Sequence, residues 1–62
     1  MTNTDRILEE KLRRIFNDDD FVLGTFCYLS SQTARKELIK YIDNHKNVTS
    51  DEICLISLEY AE

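Results

Sequence analysis

Apolar residues recur at helical spacing in two separate stretches, and that spacing constrains the fold more than any other feature of the chain. In "DRILEEKLRRIF", residues 5–16, Ile7, Leu8, Leu12, Ile15 and Phe16 follow the helical repeat, with Leu8, Leu12 and Ile15 in line on one face. In "SSQTARKELIKYIDNHKN", residues 30–47, Ala34, Leu38, Tyr41 and Ile42 form a stripe flanked by Ile39, with serines in front as caps. A chain that repeats this period twice, with one Gly and no Pro to interrupt it, is expected to be helical throughout.

Local signals place the helix ends. Thr49 followed by Glu52 is a capping box, and Val48 with Ile53 is the pair of a hydrophobic staple, so a last helix starts at Thr49. Thr4 or Asn3 is the expected cap of the first helix, with Asp5 at the positive end of its dipole. The third helix stops in "DNHKN", where Asn44 or Asn47 suits the left-handed conformation and His45 and Lys46 suit the negative end.

The connecting run "NDDD", residues 17–20, invites comparison with a calcium loop. Starting that pattern at Asp19 puts Gly24 in place but leaves Phe21 and Leu23 where ligand oxygens belong, so the run is read as a cap by Asn17 or Asp18. Residues 21–29, "FVLGTFCYL", are apolar on every side, and strand competes with helix there. A lone strand has no partner for its backbone, which favours a short buried helix, with Gly24 marking a close approach by another helix. The stretch from Ile53 through Cys54, Leu55, Ile56, Leu58, Tyr60 and Ala61 is so widely apolar that it is expected to lie between other helices or against a partner. The reading is a single all-α domain over residues 1–62, a small bundle of three to four short helices.

Composition narrows the function. The balance of 8 Lys and Arg against 12 Asp and Glu gives a net charge of −4, which a phosphate backbone disfavours. Were the last helix the reading helix of a helix-turn-helix, it would offer Thr49, Ser50, Asp51 and Glu52 to a polyanion. Catalysis has only Cys27 and His45 from which to draw a nucleophile and a base, and Cys27 in "FCYL" reads as a buried small hydrophobe. One His and two isolated cysteines make no zinc site, and the sole glycine makes no phosphate loop. No enzyme activity, cofactor or metal is expected. Tyr28, Tyr41 and Tyr60 read as core tyrosines whose hydroxyls reach water.

The first 15–20 residues are charged and lack an apolar signal region, and no run approaches the roughly 20 apolar residues of a membrane span. A cytoplasmic location, where thiols stay reduced, is expected. A chain of 62 residues buries only about 60% of its unfolded surface, so a protein partner or homo-oligomer is expected to complete it. The expected function is a non-enzymatic protein interaction or accessory role with self-association. Phe21, Leu55, Leu58, Glu59, Tyr60 and Glu62 are the candidate interface, the two acids standing at the negative end of the last helix, where Arg13 and Arg14, or Arg35 and Lys36, are the expected counter-charges. The alternative is a nucleic-acid-associated regulator using Arg6, Lys11, Arg13, Arg14, Arg35, Lys36 and Lys40 of the first and third helices, a face diluted by Glu9, Glu10 and Glu37.

Overall fold

The structure is a computed structural model that describes residues 2–60. Among these residues it contains four helices and no strand: α1 (Asn3–Ile15), α2 (Asp19–Tyr28), α3 (Gln32–Asn44) and α4 (Ser50–Tyr60). The ambiguous 21–29 stretch is thus helical, and the all-α bundle is the observed class.

Each helix begins on a side-chain cap. Asp18 accepts from Phe21 N–H and Ser31 from Ala34 N–H, both at 3.1 Å. In α4 the Thr49 hydroxyl accepts from Glu52 N–H at 3.3 Å while Glu52 Oε1 accepts from Thr49 N–H at 3.4 Å, the reciprocal box. Val48 and Ile53 are both buried in the one core cluster, as the staple requires. The cap of α1 is Thr2, not Thr4 or Asn3: its hydroxyl accepts from Asp5 N–H at 3.1 Å, and its carbonyl closes the first turn with Arg6 N–H. The start is one or two residues earlier, so the cap serves Asp5 N–H and Asn3 and Thr4 are drawn into the helix. After α3 the chain is extended at His45, and Asn47 takes the left-handed conformation at φ 57°.

The helices close as a ring in which α1 packs on α3, α3 on α4, α4 on α2 and α2 on α1. The core they enclose is Leu8, Leu12, Val22, Leu29, Ala34, Leu38, Val48 and Ile53. Ile15, expected on the buried stripe, is exposed, because α1 ends there and the extended backbone of Phe16 turns that ring inward instead, 4.7 Å from the ring of Phe21. Two buried hydroxyls, Thr25 and Ser57, donate to the carbonyls four residues back, at 2.9 and 2.8 Å, so neither is left unpaired in the core.

Arg35 is the main departure from the expected solvated face of α3. Its guanidinium donates to the carbonyls of Leu29 at 2.6 Å and Phe26 at 3.1 Å, pairs with Asp5 at 2.8 Å and lies 4.9 Å from the Phe26 ring centre. The last turn of α2 has no cation of its own, so Arg35 supplies the charge and the donors that its terminal carbonyls need. Arg35→Ala is expected to cost about 2 kcal/mol through the lost charge-assisted hydrogen bonds, and Arg35→Lys should recover little of it because one ammonium does not reproduce the planar fork. Urea unfolding of the two variants checks this, and a midpoint equal to wild type for either would contradict it.

Candidate functional site

The helices that sequence periodicity leaves unresolved are the ones that build the candidate site. Both α2 and α4 are apolar nearly all round, yet the ring topology buries only one side of each: Val22 and Thr25 of α2, Ile53 and Ser57 of α4. Between them runs a groove of about 320 Å³ lined by Asp20, Phe21, Gly24, Thr25 and Tyr28 of α2 and by Ile53, Cys54, Ser57 and Leu58 of α4. Its floor is open at Gly24, where a Cβ would meet no atom within 4 Å. The expected close approach of another helix at Gly24 is therefore not made, and the missing side chain leaves space in the groove instead.

Tyr28 on one wall and Leu58 on the other are 58% and 63% exposed, and Leu55, on the outer surface of α4, is 67% exposed. Of the two places expected for so apolar a helix, between other helices or against a partner, the first is not met: the bundle leaves the outer side of α4 open. Cys27 and Cys54 are both free and exposed, which corrects the expectation of a buried Cys27: the α2 core side is occupied by Val22, Thr25 and Leu29, and Cys27 falls on the other side. Tyr28 likewise stands outside the core. Leu23, 61% exposed, belongs to a separate depression toward α1, shared with Phe26 and Arg35.

The candidate interface residues divide between two sides of α4. Phe21 and Leu58 line the α2/α4 groove, and Leu55 stands on the outer surface of α4. Glu59 and Tyr60 instead line a depression on the α3 side with Glu37, Lys40, Tyr41, Asn44 and Ile56. The cation sharing that depression with Glu59 is Lys40, not Arg13 and Arg14 or Arg35 and Lys36 as expected: Arg13 is engaged by Glu9 and Asp19, and Arg35 by Asp5. Ala61 and Glu62 lie outside the described residues.

The cations of α1 and α3 are partly engaged by carboxylates of the same chain. Lys11 pairs with Asp43 at 2.5 Å, Arg13 with Glu9 at 3.1 Å and also with Asp19, Arg35 with Asp5, and Lys40 with Glu37 at 3.6 Å. Of the seven basic residues proposed for a nucleic-acid face, four are thus in ion pairs. His45 stacks on Tyr41 with ring centres 3.8 Å apart, and its Nδ1 lies 2.8 Å from the Tyr41 carbonyl. Among the described residues no three His, Cys, Asp or Glu side chains gather as a metal site, and no helix is long and apolar enough to cross a membrane.

Two carboxylates tie helices together and titrate with the fold. Burial pushes the Asp5 carboxyl up, but hydrogen bonds from Gln32 and Arg35 and the charge of Arg35 outweigh it and hold Asp5 below its ordinary 3.8. The Tyr41 hydroxyl donates to Glu52, the strongest influence holding that carboxyl below 4.5; burial opposes it, and Thr49 adds to it. The same hydrogen bond, with burial and the Glu52 charge, raises Tyr41 above 10.0. A carboxyl lowered by folding stabilises fully above its unfolded value and loses that contribution as pH falls through its folded value; a phenol raised by folding stabilises below its unfolded value and loses it as pH rises. Stability is therefore expected to fall below about pH 4 and again above about pH 10. Glu52→Gln, which keeps a capping side chain, should flatten the acid limb of urea midpoint against pH, and an acid limb identical to wild type would contradict the assignment.

No family model matches the chain, and no curated protein or solved structure shows a significant similarity to it.

Proposed function

We propose that the chain is a non-enzymatic protein-binding module whose contact surface is the α2/α4 face. The observation that carries the proposal is the exposed apolar groove: the core closes on one side of α2 and α4, Tyr28 and Leu58 are left more than half exposed beside the opening at Gly24, and Leu55 is equally exposed on the outer surface of α4. Apolar side chains clustered on such a concave surface mark a protein interaction site more often than scattered exposed leucines do. An accessory or regulatory role in the cytoplasm fits two exposed free thiols, which an oxidising compartment would pair or modify. The nucleic-acid alternative has weaker support, since four of its seven cations already hold carboxylates within the bundle.

The proposal is tested by placing a photo-crosslinker on Cys54 in a Cys27→Ser background and, for comparison, at exposed Glu10 of α1 through Glu10→Cys in a Cys27→Ser/Cys54→Ser background. Crosslinking in host extract, followed by purification of the adduct's protein and a binding measurement with the unmodified chain, should give a partner from the Cys54 position and none from position 10. Equal adducts from both positions, or a captured protein with no affinity for the unmodified chain, would refute the α2/α4 face as the contact surface.

A further inference from the structure

Charge singles out what the groove is built to receive. Resting on the assignment of the α2/α4 face as the contact surface, we infer that its occupant is a basic amphipathic helix supplied by a different protein, not a second copy of this chain. All residues lining the groove come from α2 and α4, and neither "DDFVLGTFCY" nor "SDEICLISLEY" contains a Lys, Arg or His. Asp20 is exposed within the groove lining. Asp51, also exposed, precedes Cys54 and Leu58 by three and seven residues and so shares their side of α4. Unlike Asp19, whose charge is met by Arg13, Asp20 and Asp51 make no ion pair among the described residues.

An apolar groove whose fixed charges are all negative is complementary to an apolar stripe flanked by Lys or Arg. A symmetric dimer through the same face would instead set Asp20 and Asp51 of one copy near those of the other, with no cation on α2 or α4 of either copy to offset them. The lining runs from Asp20 to Tyr28 on α2 and from Ile53 to Leu58 on α4, about 12 Å and about 8 Å of helix, enough for roughly two turns of a partner helix. Apolar contact at Tyr28 and Leu58 supplies the affinity, and the two aspartates set which helices are accepted.

The test titrates the full, isotope-labelled chain with three synthetic peptides of about 14 residues, long enough to span the groove. They share one leucine stripe and carry Lys, Gln or Glu at the polar positions. The Lys peptide should bind at least about tenfold more tightly than the Gln peptide, weaken with added salt and shift the amides of Gly24, Tyr28, Cys54 and Leu58, while the Glu peptide should not bind. Asp20→Asn/Asp51→Asn should weaken the Lys peptide about five- to tenfold, and Glu10→Gln/Glu37→Gln, which removes the same charge from α1 and α3, less than about twofold. Equal losses in the two variants, or shifts centred on α1 and α3, would overturn the inference. So would a chain that binds none of the peptides but dimerises in sedimentation equilibrium and is returned to monomer by Leu58→Gln. That last result makes a second copy the occupant and leaves the α2/α4 contact surface standing. Absence of binding by any peptide and of any dimer also overturns the inference, and the Cys54 crosslink then judges the contact surface separately.

Discussion

Leu38→Ala is expected to remove about 3 kcal/mol of folding stability, a loss that this chain can scarcely carry. Leu38 is fully buried at 0% exposure in α3, the helix that packs on both α1 and α4, and it belongs to the one core cluster. Truncating such a leucine loses its transfer free energy and leaves a cavity, which together cost about 2–5 kcal/mol. Marginal stability of roughly 0.05–0.15 kcal/mol per residue gives a chain of this length only about 3–9 kcal/mol in total. The variant should therefore unfold at much lower urea than wild type or be partly unfolded in buffer, as read by circular dichroism. Leu55→Ala, made at a residue 67% exposed, is the contrast and should shift the midpoint by no more than about 0.5 kcal/mol. Equal effects at the two positions would mean that the core is not where the ring of helices puts it.

Leu55→Gln/Leu58→Gln is expected to do the opposite, sparing the fold and removing binding. Both leucines stand more than 60% exposed on α4, and Gln is close to Leu in helix propensity, so the unfolding midpoint should stay within about 1 kcal/mol of wild type. Covering the exposed parts of two leucines contributes about 2–3 kcal/mol to association, so the double variant should bind its partner roughly 30- to 150-fold more weakly. Neutral Gln avoids adding charge to a face that already carries Asp20 and Asp51, which separates loss of apolar contact from electrostatic effects. Calorimetric titration of the crosslinked partner against both proteins reads the change. A destabilised variant would place these leucines in the core, and an unchanged affinity would place the interface elsewhere.

The two predictions also mark where the sequence is transparent. Caps and amphipathic stripes depend on residues within one or two turns of each other, and so Asp18, Ser31, the Thr49 and Glu52 box and the Leu8, Leu12, Ala34 and Leu38 stripe are readable from the chain alone. The first cap is displaced to Thr2 because several hydroxyl and amide residues in a row are competent, and backbone closure decides among them. The α2 and α4 helices have no polar side from which to infer the buried one, so only tertiary packing reveals that Cys27 and Tyr28 face outward. Phe21 and Leu58 are legible as interface candidates from their apolar context, whereas Gly24 and Cys54 enter the site only through the pairing of α2 with α4. Arg35 is hidden for a related reason: its partners Asp5, Phe26 and Leu29 lie on two other elements, and nothing in its own helix separates it from the neighbouring Lys36. The absence of a cation at the end of α2 is the one local hint that a distant residue must serve there.

The most direct test of the α2/α4 contact surface is the alkylation rate of Cys54, measured with Cys27→Ser, in the isolated chain and in its native complex recovered from the host. Cys54 lines the groove and is exposed in the free chain. Occupation of the groove predicts fast modification of the isolated chain and at least about tenfold slower modification in the complex, because an interface excludes the reagent from the thiol it covers. Equal rates in the two states would show the groove open while the partner is bound, and would contradict the account.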